Sequence, residues 1–536
     1  MRTFRSARTR ARALAPWCLA LGALVVAGLC VGTAQGQSRS ATLIIARNID
    51  DYVTNDPNRT YEFTSQMLVQ SSYDTLVTVE APDLTRIQPK LAERWEVSKE
   101  GTTYTFYLRK GVKFASGNPV TAHDVRFSFR RLKHLKDNPS FFIDTVKDVE
   151  VANDTTVKIT ISAPDASFLA ALAAVQCGIV DSKTVTAQGG TDAEDAKDKD
   201  KATEWLNQNS AGSGPYRIVS FKRNEEAVLE RNTGYWGPKP YFTRIIFKHV
   251  KDGTTQREMV ERGDADVAQG VDADLVARIK PGPKIRIAEG LSMNQIYLAF
   301  NTKPEVSKEL SDKRVRQAIA YAIDYDGIVK GLARGAGERP PAMIPLGLLG
   351  VDKAMARKRD VARARTLLAD AGYPNGFAVT LSYWSAPLLG MAPEPFATKI
   401  QADLKNIGIS ATLEPKERTV WMAEYRAGKP QFLLGEWSPD FLDSDAWADA
   451  FYKKGGIIAK RLGYENPRAT ELVSTAKAEL DPKKRDALYR EVEKIALEDA
   501  PYVMLLQPKS YVGLNPAIKG YAFHPIWFVT LARLSR

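Results

Sequence analysis

Between residues 360 and 440 the spacing of apolar residues switches repeatedly between the period of a helix and that of a strand, and few folds accommodate that rhythm. Asp360 is an N-cap candidate for a helix whose apolar face is Val361, Ala364, Leu367, Leu368 and Ala371, with Gly372 placed to end it. Ala378–Trp384 reads as a strand. A second helix carries Phe396, Ile400, Leu404 and Ile407 and stops at Gly408, and Ile409–Leu413 reads as the next strand. A third helix over Thr419–Arg426 leads into the apolar strand Phe432-Leu433-Leu434-Gly435. Strands joined by crossover helices run parallel, and parallel α/β sheets gather ligands beyond the carboxyl ends of their strands. The residues just past the last strand are Glu436-Trp437-Ser438-Pro439-Asp440-Phe441. At this point the segment is either a binding loop or a hydrophobically anchored surface turn.

Residues 41–180 mix shorter elements into an α+β lobe. Thr103–Leu108 alternates polar and apolar as a half-buried strand does, and Thr121 opens a helix with Val125, Phe129 and Leu132 on one face. Thr186–Thr203, with Gly189-Gly190 and repeated Asp, Lys and Ala, reads as a solvated surface insertion. A chain of 536 residues exceeds what one hydrophobic core organises, so two or three lobes are expected.

The N-terminus speaks to compartment. Five arginines, from Arg2 to Arg12, precede an apolar stretch from Ala13 to Val31 and the small residues Gly32-Thr33-Ala34. That order is a secretory signal peptide over residues 1–34, read as cleaved rather than as an anchor because no stop-transfer cluster follows. Leu29 before Cys30 argues against lipid attachment, so the mature protein is expected free in the periplasm. Residues 1–34 hold five basic and no acidic residues, so their removal lowers the formal charge from +12 to +7. The remaining charge is dispersed, unlike the basic stripe of a nucleic-acid groove. Cys177 is then the only cysteine left, which excludes an intrachain disulfide, and its apolar surroundings make it a small buried hydrophobe.

A search for catalytic motifs finds none. The four histidines lack metalloprotease spacing, Ser213 is flanked by Ala211 and Pro215 rather than by the glycines of a nucleophile elbow, and no phosphate-binding glycine loop occurs. The residues point to binding without metal, cofactor or catalysis.

Several segments resemble extracellular solute-binding protein family 5. Pro89-Lys90-Leu91-Ala92-Glu93-Arg94-Trp95 continues through Tyr104-Thr105-Phe106 and Leu108-Arg109-Lys110-Gly111-Val112-Lys113-Phe114 to Thr121-Ala122-His123-Asp124-Val125. Gly212-Ser213-Gly214-Pro215-Tyr216, Arg314-Val315-Arg316-Gln317-Ala318-Ile319, Leu367–Pro374 and Glu498-Asp499-Ala500-Pro501 follow in the family's order. The resemblance implies a two-lobed α/β periplasmic-binding-protein fold of class II, with an enlarged first lobe and hinge strands. On this sequence the first lobe is residues 37–292, the second 293–505, and 506–536 return to the first. Crossings fall at Asn294–Phe300 and Tyr502–Tyr511.

The family further implies the substrate-binding component of an ABC importer, a monomer that captures a small solute and delivers it to membrane permease subunits. Trp437-Ser438-Pro439-Asp440-Phe441 is similar to the loop of peptide-binding members in which the acid receives a peptide's α-ammonium. This implies ligand contacts from Asp440, Trp437 and Phe441, with Trp421 as a second pocket-lining tryptophan. Leu434 stands where some members have an arginine for the ligand's carboxylate, so what binds that carboxylate stays open, an arginine or lysine of the first lobe being one candidate. Glu436, Asp443 and Asp445 are expected on the solvated rim. Short peptides are the expected cargo. The alternatives are another cargo of the same family, such as a nickel chelate, opine or oligosaccharide, or a secreted chaperone or adhesin.

Overall fold

The computed structural model describes residues 41–536 except 82, 280, 281, 527 and 528. The signal segment with Cys18 and Cys30 lies outside the described residues.

Along Thr103–Leu108, Tyr104, Phe106 and Leu108 are buried while Thr103, Thr105 and Tyr107 are only partly covered, as a one-sided pleat requires. This strand sits in a four-stranded antiparallel sheet with Ala92–Val97, Thr156–Ile161 and Val146–Asn153. Helix Ala122–Leu135 buries Val125, Phe129 and Leu132, and Thr121 with Asp124 closes a capping box at its start.

The main sheet has twelve strands, and its path explains the two lobes. On one side Thr42–Arg47 pairs parallel with Arg244–His249, which continues antiparallel through Glu226–Arg231 to Tyr216–Lys222. On the other, Ala378–Trp384 pairs parallel with both Ser410–Lys416 and Phe432–Trp437. The carboxylate of Asp360 accepts the backbone N–H of Arg363 at 2.9 Å, starting helix Val361–Asp370, and Gly372 follows that helix at φ +91°. Helix Pro393–Lys405 makes the next crossover, burying Phe396, Ile400 and Leu404.

One long strand, Tyr502–Leu514, joins the two sides. Its first half pairs with Gln295–Phe300, and its second half with Arg286–Leu291 and Val267–Ala268. Gln507, at the change-over, donates to the carbonyl of Ser292 and accepts the N–H of Leu346.

Two sequence expectations change. Strand Phe432–Trp437 runs two residues past Gly435, because Gln295–Phe300 pairs with it up to Trp437, so Glu436 and Trp437 belong to the strand. Thr186–Thr203 is not simply a solvated insertion. The side chain of its Asp200 is 0% exposed and shares the equally buried side chain of Arg131 with Asp56. All five guanidinium N–H groups of Arg131 donate, at 2.6–3.0 Å, to Asp56, Asp200 and Asn58. Composition conceals this because one acid among several faces an arginine 69 residues earlier. Cys177 is buried, and burial pushes its thiol well above the ordinary range. Among the described residues no helix is long and apolar enough to cross a membrane.

Candidate functional site

The carboxyl ends of Ala378–Trp384 and Phe432–Trp437 open into a cleft of about 690 Å³. Its walls come from distant parts of the chain. Tyr61 and Gln269 face Trp384, Trp421, Trp437 and Asp440, and Asn294 and Pro508 line it beside the joining strands.

Asp440 lies three residues beyond the strand end and is half-buried. The hydroxyl of Tyr61 donates to its Oδ1 at 2.5 Å, a contact between residues 379 apart. Burial pushes the Asp440 carboxyl above the usual carboxylate range, and the Tyr61 hydrogen bond partly offsets that. Trp437 ends the strand and meets Phe451 edge-on at 5.3 Å. Trp421, 2% exposed on helix Arg418–Arg426, packs edge-on against Trp384 at 5.0 Å and beside Tyr425 at 4.9 Å. The indole N–H groups of Trp384, Trp421 and Trp437 are buried and have no acceptor among the described residues. Phe441 lies outside the cleft lining and packs against Phe142, ring centroids 6.3 Å apart.

Charge in the cleft is mixed. Arg418 lies 5.1 Å over the ring of Trp384, and Arg461 lies 5.0 Å over that of Tyr425. Neither makes an ion pair within 4.0 Å among the described residues. Both belong to the segment assigned to the second lobe, and Lys509, in the segment assigned as the return to the first lobe, also lines the cleft. Leu434 is fully buried opposite Leu298.

The acids expected on the rim are elsewhere. Glu436 lines the cleft, where burial pushes its carboxyl up to about 7 against a hydrogen bond from the Leu389 N–H at 2.7 Å and the nearby charge of Arg418. Asp443 pairs with Arg485 at 2.6 Å, and Asp445, 1% exposed, pairs with Lys477 at 2.8 Å. The loop turns inward to start helix Asp445–Tyr452, and later helices supply those two cations.

Sequence reasoning missed Tyr61, Trp384, Arg418, Arg461 and the inward aim of Glu436. The topological rule that singled out residues 436–441 applies equally to Trp384 at the end of the neighbouring parallel strand. Tyr61 carries no such signal.

The family model of bacterial extracellular solute-binding proteins, family 5 (middle), matches residues 86–458. The probable D,D-dipeptide-binding periplasmic protein DdpA of Escherichia coli K12 is 30% identical over 496 residues, covering 90% of this chain and 92% of that protein. Heme-binding protein A of Haemophilus influenzae is 28% identical over 483 residues, 86% of each chain. The structure of HbpA2 from Haemophilus parasuis matches with a TM-score of 0.80 at 27% identity, over 92% of this chain and 99% of that one. With its matching motifs, its two-lobed sheet and its cleft at the strand ends, this chain belongs to the bacterial extracellular solute-binding proteins of family 5.

Proposed function

We propose that this protein is the peptide-capturing component of an ABC importer, exported to the periplasm, monomeric, closing around a short peptide and handing it unchanged to membrane permease subunits. The observation that carries this reading is the charge pattern of one cleft: the half-buried Asp440 carboxylate, and the guanidinium groups of Arg418 and Arg461 held over aromatic rings with no ion pair within 4.0 Å among the described residues. Such a chamber suits a zwitterion. In this reading Asp440 receives the ligand's ammonium, Trp437 and Trp421 pack against it, and Arg418 and Arg461 receive its carboxylate. Phe441 supports the Asp440 loop from behind. The peptide named in the D,D-dipeptide-binding relative agrees with this, and the heme-binding relative marks the competing cargo class.

Closure requires contacts with both lobes, since only differential affinity shifts an open–closed equilibrium. Residues 37–292 and 293–505 are assigned to the two lobes, with the crossing segments Asn294–Phe300 and Tyr502–Tyr511 as hinge. Tyr61, reaching Asp440 from the other lobe, would bring the acid and the closed state together.

Mass spectrometry of whatever solute co-purifies tests the cargo: short peptides support the reading, while a sugar, metal chelate or heme ends it. The anchor is tested by Asp440→Asn, which keeps volume while deleting charge. Calorimetry with the identified ligand should show a loss on the order of 3–5 kcal/mol, a hundredfold or more in affinity. Near-native affinity in a folded variant would mean Asp440 is not the amine anchor.

A further inference from the structure

Away from the cleft, the segment from Lys353 to Arg365 carries six Lys and Arg against a single acid, Asp360. It folds against the end of helix Lys313–Ala322 and the last turn of helix Pro482–Asp499, walling a surface pocket of about 420 Å³. Tyr321 holds two of the arginines, with the guanidinium of Arg357 4.7 Å and that of Arg363 4.5 Å from its ring centroid. Arg357 also donates to the carbonyl of Leu497. Cation–π contact fixes a guanidinium while leaving its in-plane N–H groups available to a ligand.

The two carboxylates that line the pocket already have partners: Asp360 caps its own helix through the Arg363 N–H, and Glu498 pairs with Lys313 at 2.6 Å. The pocket's other cation, Arg359, is taken up by the Ala322 carbonyl and Asp403. Arg357, Lys358 and Arg363 make no ion pair within 4.0 Å among the described residues. Three cations held around one concavity repel one another, and an anion with several acceptor oxygens relieves that repulsion. A carboxylate has two such oxygens. A phosphate group offers three or more, matching two forked guanidinium groups and one ammonium.

We propose that this pocket is a phosphate-binding site, in which Arg357, Lys358 and Arg363 hold a phosphate group borne by a free anion or by a lipid headgroup. It is separate from the cleft, so its test does not depend on the identity of the transported solute.

The test titrates the protein without its signal segment, residues 1–34, with inorganic phosphate and pyrophosphate, and measures flotation with vesicles of phosphatidylcholine alone or mixed with phosphatidylglycerol. Saturable binding that weakens with added salt is expected. Saturation by pyrophosphate without vesicle retention assigns the free anion, and retention by phosphatidylglycerol vesicles assigns the headgroup. The triple variant Arg357→Gln, Lys358→Gln, Arg363→Gln should bind about a hundredfold more weakly. Because Arg357 and Arg363 also pack on Tyr321, Lys358→Glu serves as the second variant. Lys358 is exposed and makes no hydrogen bond among the described residues, and its reversal should cost about tenfold. No saturable binding of any probe at low salt, or unchanged binding by folded variants, overturns the proposal.

Discussion

Arginines occupy two settings in this protein, one sealed inside it and one open to the cleft, and the settings treat them in opposite ways. Arg131 is sealed among Asp56, Asp200 and Asn58 with every N–H satisfied by the protein itself. Arg418 and Arg461 line the cleft on aromatic rings and make no ion pair within 4.0 Å among the described residues, Glu436 being the carboxyl group near Arg418. A guanidinium that serves the fold is saturated, because a buried unpaired charge is too costly to keep. One that serves a ligand is oriented by ring faces and keeps its donors available.

The largest effect should come from breaking the saturated case. Arg131→Met leaves two buried carboxylates facing each other, and urea unfolding should show a loss of about 3–5 kcal/mol. A loss below about 1 kcal/mol would place Arg131 with ordinary surface pairs and undo the contrast. Next comes a buried carboxyl group with no cation beside it among the described residues. Glu493 is fully buried, accepts weak hydrogen bonds from the Ile344 N–H and the Tyr452 hydroxyl, both at 3.3 Å, and burial pushes its carboxyl up to about 8. The folded state therefore holds this proton after the unfolded chain has released it, so stability is full below the usual carboxylate pKa and is lost as pH rises towards about 8. Glu493→Gln should match the parent near pH 4 and exceed it near pH 9 by about 5 kcal/mol. Parallel stability profiles for the two proteins would show that Glu493 does not carry that proton.

The smallest effect on the fold is expected in the cleft. Arg418→Gln should change unfolding stability by less than about 1 kcal/mol while weakening ligand binding tenfold to a hundredfold, about 1.4–2.8 kcal/mol. A stability loss resembling that of Arg131, with affinity intact, would make Arg418 a structural residue instead.

The same contrast explains what could be read in the sequence. Local signals carried far. The Asp360 cap, the stop at Gly372 and the strand–helix alternation through Phe432 are written in neighbouring residues, and they locate the loop after the last parallel strand. Partnerships across the chain were not legible. Asp200 looked like one more solvated acid because its arginine is 69 residues away, and Asp443 and Asp445 looked like rim charges because Arg485 and Lys477 arrive from later helices. Tyr61 meets Asp440 from 379 residues away with no motif to announce it. Spacing reports which face a side chain takes, whereas its charge partner depends on tertiary packing.

The strand Tyr502–Leu514 also bears on the order in which the molecule can assemble. It pairs with Gln295–Phe300 on one side and with Arg286–Leu291 and Val267–Ala268 on the other, so both sides of the sheet await a segment made some two hundred residues after those partners. Long-range pairings of this kind are slow to form, because loop closure precedes their reward. During synthesis the earlier strands therefore lack the neighbour that completes them, and the nascent chain stays short of its final fold until nearly all of it has been made. A polypeptide built this way completes the pairing of both sides of its sheet only once the strand Tyr502–Leu514 has been made.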